Sequence, residues 1–412
     1  MRGITRAMPA VLREEPRFRL LFSGQALSLL GDRISFVVLP FAVLSIGGIA
    51  DLGIVAAAAS LPFLVVAIPG GSVSDRVGRR EVMLVADLVR AAVQVTMAAL
   101  LISGAAQVWM LAALMACFGT AEAFFGPAMA GLVPQTVPVQ RVQAANAALG
   151  LAANVGMVAG PTIAGLLLAV TGPGEAFGID AATFLVSAAC LFRLRVDATR
   201  DPHEHDAGML ADLREGWGVV RETGWMIPGL RALVAYHVCV LPSIFVLGPA
   251  LAKRDLGGAT SWAAITTCFG IGAVIGSVIA LRRRPSRPLR AAFLAMIVAS
   301  LQGAIIASGV GTAGIAAMEV VAGIAVALLY TLWESTIQEQ VPPAATARVA
   351  AYDWGVSIGL MPVGVALAGP ASAAIGLTAT MRWGSALGVA MALAALATPA
   401  VRKLRRPSVA RV

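Results

Sequence analysis

The stretch GSVSDRVGRR, residues 71–80, interrupts a strongly apolar sequence with one acidic and three basic side chains. Mostly apolar segments, 53–73 and 82–102, lie on either side of it. A helix of about 20 apolar residues is long enough to cross the ~30 Å hydrocarbon core of a lipid bilayer. The pattern therefore predicts two transmembrane helices joined by a short, positively charged loop.

The same alternation of apolar segments and charged loops continues along the whole chain. The 412 residues are 58% hydrophobic and only 13% charged, whereas soluble domains average roughly 25% charged residues. We therefore expect an all-α polytopic membrane protein with twelve transmembrane helices in two six-helix bundles. The predicted spans are 20–46, 53–73, 82–102, 107–130, 143–170, 175–194, 231–251, 260–281, 290–308, 313–337, 349–370 and 379–401.

A long polar stretch divides the twelve spans into two sets of six. It predicts an N-terminal bundle at 1–194, a linker at 195–228, and a C-terminal bundle with a basic tail at 229–412. Apolar residues recur at helical spacing over 209–220, which indicates an amphipathic helix at the membrane surface. The simplest role for this helix is that of a connector between the bundles.

The basic residues indicate how the chain is oriented in the membrane. If the N-terminus is cytoplasmic, 26 of the 31 Lys and Arg residues lie in cytoplasmic loops and tails. The loops on the other side then hold only Lys253, Arg254 and Arg382. By the positive-inside rule, both termini are expected in the cytoplasm and the protein in a bacterial inner (cell) membrane. The net charge of +9 is explained in this way, and we expect no nucleic-acid partner.

Each special residue of the loop at 71–80 has a physical reason to be there. Gly71 allows close approach of two helices, and Gly78 permits a turn with positive φ. Asp75 lies at the C-terminal end of a helix, where the macrodipole disfavours an anion, so it needs a partner. The alternative is a positively charged turn in which the aspartate is incidental.

The full loop, set in a layout of six plus six spans, resembles the G-x-x-x-D-R-x-G-R-R signature called motif A in the major facilitator superfamily. The resemblance implies the fold of that family and transport by alternating access. It also implies that the loop gates the cytoplasmic side and does not bind substrate. The gating residues would be Gly71, Asp75, Arg76, Gly78, Arg79 and Arg80.

Span 5 carries a face of small residues followed by a proline, at Gly156, Gly160, Pro161 and Gly165. Small residues permit close helix packing and the proline can bend the helix. The segment is similar to the G-x-x-x-G-P-x-x-G-G motif of proton-coupled exporters, with Ala164 in place of one glycine. A Gly-Pro pair also ends the apolar part of span 11, which favours an internal duplication.

Other stretches narrow the resemblance to one branch of the superfamily. The sequences GQALSLLGDR in span 1 and FFGPAMAGLVPQTVP in span 4 resemble the macrolide-efflux and siderophore-exporter branch, the drug:proton antiporter 3 family. This resemblance implies export of small amphipathic molecules, drug-, antibiotic- or siderophore-like, by proton antiport.

Ionisable residues inside the spans are candidates for proton coupling. A charge at the bilayer centre costs at least ~2.5–3.5 kcal/mol, so it normally faces a cavity or a partner. Asp32 in span 1 and Glu122 in span 4 are deep carboxyl groups that could bind protons or substrate, or form buried structural pairs. Arg33 is the nearest candidate counter-charge for Asp32. Asp87 and Arg90, three residues apart in span 3, are expected to form an ion pair that supports the motif A loop.

These observations predict a secondary active exporter and not an enzyme. The sequence has no Walker motif, no nucleophile–base arrangement and no closely spaced cysteines, so we expect no catalytic residue, metal or cofactor. The expected partners are a small-molecule substrate, protons and the lipid bilayer, and the chain is expected to act as a monomer. An uptake carrier of the same fold and a non-transporting membrane sensor or scaffold are the alternatives.

Overall fold

The computed structural model describes residues 11–196, 217–342, 349 and 352–406, with the side chains of 63–76, Trp354 and Ile358 outside the description. The described residues form helices and turns, with no β-strand among them. The expected all-α fold is therefore confirmed. Most of the predicted linker helix lies outside the described residues.

Six long helices make up the N-terminal half of the chain. They are α1 (Pro16–Ile46), α2 (Ile49–Val77), α3 (Arg79–Ile102), α4 (Val108–Thr136), α5 (Val142–Val170) and α6 (Pro173–Arg193). Prolines open α1 and α6, where the missing N–H costs no helical hydrogen bond.

Six more helices follow in the C-terminal half, and a short helix α13 (Pro399–Lys403) ends it. The six are α7 (Met226–Asp255), α8 (Ala259–Arg282), α9 (Pro288–Ile306), α10 (Gly311–Gln340), α11 (Gly355–Ile375) and α12 (Leu377–Ala397). Eleven of the helices in the described part are long and apolar enough to cross a membrane. The twelfth, α2, has 29 residues, and its first part is a shorter apolar helix, Ile49–Pro62. The prediction of twelve membrane spans is confirmed.

The chain divides into two compact units. The first contains residues 1–202 and 257–267, and the second contains 203–256 and 268–412. Residues 257–267, which include the start of α8, thus group with the first unit.

Helix packing follows the same scheme inside each unit. In the first unit α1 packs on α5 and α6, and α2 packs on α4, where Gly119 lies against the backbone of Ala59. In the second unit α7 packs on α11 and α12, and Gly272 of α8 lies against the backbone of Val320 on α10. Glycine is needed at these crossings because a Cβ would overlap the neighbouring carbonyl group.

Helix α7 is irregular in the middle of its span, and α11 is irregular at its start. Helix α7 contains two π-helical turns, Tyr236–Val240 and Ser243–Leu247, on either side of Pro242. Helix α11 begins with a third, Trp354–Ile358. Proline lacks the N–H that an α-helix would use, so the hydrogen bonds around Pro242 must rearrange. Such π-turns occur frequently at functional sites.

Candidate functional site

The motif A loop is held by its arginines to two helices of the first unit. Helix α2 ends at Val77, and Gly78 makes the turn into α3 with φ of 113°. Arg79 donates a hydrogen bond to the Gly131 carbonyl of α4 at 2.8 Å. The side chains of Gly71, Asp75 and Arg76 lie outside the described residues.

Arg80 binds the last turn of α6. Its guanidinium donates to the carbonyl oxygens of Leu191 and Phe192, each at 2.7 Å. These carbonyls lie at a helix C-terminus, where a cation is favoured by the macrodipole and satisfies acceptors that have no helical partner. Arg79 and Arg80 thus tie the start of α3 to α4 and α6, and gating by this loop stays a prediction.

The small-residue face of α5 is the surface on which α1 packs. A Cβ on Gly160 would overlap the backbone and Cβ of Arg33, and one on Gly156 would lie 3.6 Å from the Arg33 Cγ. Gly165 lies against Ala263 within the same unit. Helix α5 continues through Pro161, which is buried. The small residues of the α5 motif therefore form the surface against which the part of α1 around Arg33 packs.

A buried arginine is the centre of the polar site. Arg90 lies midway along α3 and is 1% exposed. Its Nη1 donates to Glu122 of α4 at 2.5 Å, and its Nη2 forms an ion pair with Asp87. The guanidinium also lies 4.0 Å from the ring centre of Phe125 and 4.5 Å from that of Phe184. Two carboxylates and two aromatic faces therefore share one positive charge.

The structure refines two expectations about these charges. The predicted Asp87–Arg90 pair forms, and Arg90 also binds Glu122 on α4. Because Arg90 lies at mid-span, the pair belongs to the polar site and not to the loop. Asp32 and Arg33 form no ion pair within 4 Å. Adjacent residues point about 100° apart around a helix, and the stem of Arg33 is directed at α5.

Asp32 is close to this charge cluster and interacts with it without direct contact. The residue is partly exposed, and it interacts electrostatically with Glu122, Arg90, Asp180 and, most weakly, Arg33. No hydrogen bond or ion pair joins its carboxyl group to another described side chain. A carboxyl group in this position is available to a proton or to a cationic ligand.

The sequence analysis missed Asp180, which is completely buried on α6. Its carboxyl group accepts hydrogen bonds from Ser35 of α1 at 2.6 Å, Gln94 of α3 at 2.6 Å and Thr183 at 3.1 Å. Asp180 was overlooked because it lies close to the start of the predicted sixth span. An ionisable residue inside any predicted span would have been a sufficient signal.

The first unit therefore holds an excess of acidic groups in its interior. Four carboxyl groups, Asp32, Asp87, Glu122 and Asp180, interact with Arg90, which is the buried cation of this cluster. The side chain of Glu122 is 44% exposed, whereas Asp87 and Asp180 are buried. Because a charged side chain at mid-span faces a cavity and not lipid, Asp32 and Glu122 form the accessible edge of the site.

Comparisons with known proteins agree with this architecture. A family profile described as Major Facilitator Superfamily matches residues 21–360. The multidrug efflux pump Tap of Mycobacterium tuberculosis is 28% identical, with 94% of each chain covered. Macrolide efflux protein A of Streptococcus pyogenes is 21% identical, covering 88% of this chain and 90% of that one. The solved nucleoside transporter NupG is similar in fold, with a TM-score of 0.71 at 12% identity over 93% of this chain and 98% of that one.

Proposed function

The chain belongs to the Major Facilitator Superfamily, and on that premise we propose that it exports small amphipathic molecules in exchange for protons. The observation that carries the proposal is Asp32, a partly exposed mid-span carboxyl group beside the Arg90 cluster that forms no hydrogen bond or ion pair with another described side chain. Two of its relatives are a multidrug efflux pump and a macrolide efflux protein, which supports the direction of transport and the amphipathic substrate class.

The geometry suggests how proton binding would drive the cycle. In the deprotonated state, Asp32 and Glu122 repel each other, and Arg90 and, more weakly, Arg33 offset the charge of Asp32. A proton that enters from outside and binds Asp32 removes this repulsion and one buried charge. The neutral site then favours the conformation that faces the cytoplasm, where the proton leaves.

The energy source in this proposal is the proton gradient, with no further cofactor. We place the chain in the cell membrane as a monomer with both termini in the cytoplasm, since the basic residues are concentrated on that side. Substrate would bind when the Asp32 carboxyl group is free of its proton, so that proton and substrate alternate.

Efflux of ethidium and a panel of macrolides from energised cells tests the proposal. Asp32→Asn and Glu122→Gln are expected to reduce efflux to the level of cells that lack the transporter. Asp255→Asn serves as the control, because Asp255 is an exposed residue at the end of α7 that is paired with Arg254. An uncoupler should stop efflux by the unchanged protein. Efflux that survives both the uncoupler and Asp32→Asn would reject proton antiport, and accumulation in place of efflux would favour an uptake carrier.

A further inference from the structure

A second polar chain lies in the second unit, between α7, α9 and α10. The hydroxyl group of Tyr236 donates to the Gln302 Oε1 at 3.4 Å, and the Gln302 Nε2 donates to the Glu319 Oε2 at 2.8 Å. All three side chains are buried, with Glu319 2% exposed. The other carboxyl oxygen of Glu319, Oε1, has no hydrogen-bond partner among the described residues.

Glu319 has no cationic side chain close to it among the described residues. Within the described part of the chain, no Lys, Arg or His nitrogen lies within 4 Å of its carboxyl group. Asp87, the comparably buried acid of the first unit, has Arg90 as its partner. An ionised carboxylate buried without a counter-charge costs several kcal/mol, so the charge of Glu319 must be removed by a bound ligand.

The titratable groups around Glu319 do not supply that ligand. Tyr236 and Tyr330 are neutral hydroxyl groups. His237 is directed elsewhere, with its Nδ1 2.8 Å from the Leu233 carbonyl and its Nε2 2.8 Å from the Tyr330 hydroxyl. Arg382 of α12 donates to the Ala307 carbonyl at 3.0 Å. A proton is a ligand that a buried carboxyl group with one unpartnered oxygen can accept.

Each unit places a glutamine next to a buried carboxyl group. Gln94 lies 15 residues after the start of α3, and Gln302 lies 14 residues after the start of α9. Each donates from Nε2 to a buried acid on a neighbouring helix, Asp180 in the first unit and Glu319 in the second. The glutamine amide stabilises either state of the acid, since it can donate to a carboxylate or to the carbonyl oxygen of a carboxylic acid.

We propose that Glu319 is a proton-binding site of the second bundle, additional to the site at Asp32. A proton from water adds to the free Oε1 and leaves a neutral carboxylic acid, and its departure restores the carboxylate. Because Glu319 is buried in this structure, the proton exchanges with water in another conformation of the cycle. The π-turn at Tyr236–Val240 and the long Tyr236–Gln302 bond are the points where the covering layer can open. The coupling of this proton to export rests on the proposed function, whereas its binding does not.

Infrared difference spectroscopy of the purified full chain, recorded between acidic and alkaline pH, tests the site without any substrate. A protonated carboxyl group gives a C=O band that shifts in heavy water. We expect Glu319→Gln to remove one such band and Glu334→Gln, an exposed acid on the same helix, to leave it. Glu319→Asp, which keeps a carboxyl group, should shift the band and covers the case in which the glutamine variant does not fold. A band set unchanged in both Glu319 variants would overturn the proposal. If the unchanged protein shows the Glu319 band but does not export ethidium, the result would count against the proposed function alone.

Discussion

At the scale of single residues, Arg90 is the buried cation on which the acidic cluster of the first unit depends. It neutralises Asp87 and Glu122 and lies between the rings of Phe125 and Phe184. Arg90→Met would leave two carboxylates unpaired, which we expect to lower the free energy of unfolding by ~3–5 kcal/mol. Detergent-induced unfolding of the purified protein measures this loss.

The exposed pair Arg254–Asp255 provides the control for that measurement. Because the pair lies in a well-solvated position, Arg254→Met should cost less than about 1 kcal/mol. If Arg90→Met lowered the free energy of unfolding no more than Arg254→Met does, Arg90 would be dispensable for folding and its role would lie in transport.

Asp180 shows how a buried acid can be held by neutral donors. Asp180→Asn keeps an oxygen that can accept from Ser35 and Gln94, so we expect a nearly unchanged unfolding free energy. Asp180→Leu leaves the Ser35 hydroxyl without its acceptor and leaves Gln94 only its longer bond to the Ser35 oxygen, at 3.3 Å, so it should cost about 1–3 kcal/mol. The same unfolding assay separates the two, and an equally stable leucine variant would mean that the hydrogen bonds contribute nothing to stability.

At the scale of helices, the small-residue face of α5 fixes the position of α1 and therefore of Asp32. Gly160→Ala would force the Arg33 segment away from α5, because the new Cβ would meet the Arg33 backbone at 3.2 Å and also its Cβ. We expect this variant to reach the membrane but to lose drug export, since Asp32 moves with α1.

Gly150, on the same helix, is the matched control for Gly160. A Cβ there meets no atom within 4 Å, and alanine improves helix propensity by up to ~1 kcal/mol. Gly150→Ala should therefore export ethidium normally in the assay that detects the Gly160→Ala defect. Normal export by both variants would contradict a positioning role for the α5 face.

The helices could be predicted from the sequence much better than their partners. Apolar length alone identifies a span such as 82–102, because lipid requires each spanning segment to satisfy its own backbone hydrogen bonds. Which side chains pair between helices depends on the rotation of each helix about its axis and on which helix lies next to it. Adjacency therefore suggested Arg33 for Asp32, while the arginine beside the acids, Arg90, comes from another helix. The π-turns of α7 were not predicted either, because each adds only one residue to the helical repeat and so barely alters the pattern of apolar residues.

At the scale of the whole molecule, the first and second units have the same plan but different charge chemistry. The first gathers four carboxyl groups around one arginine, and the second holds Glu319 with neutral partners. Of these five acids, Asp32 and Glu122 were identified from the sequence as candidate coupling sites, because the sequence shows how far a residue lies from the ends of its apolar segment. The burial of Glu319 was not readable, since it depends on the helices packed around α10.

The orientation of the molecule in the membrane is a consequence of its charge asymmetry that can be tested directly. With 26 of 31 basic residues on one side of the twelve-span layout, translocating that side would move most of the positive charge against the membrane potential. A fluorescent protein fused after Val412 should therefore fluoresce, because it folds in the cytoplasm. Alkaline phosphatase inserted at Gly257–Gly258, between α7 and α8, should be active, because that loop is expected outside. An active phosphatase at the C-terminus would reverse the orientation, place the motif A loop outside, and require proton entry from the opposite end of the Asp32 site.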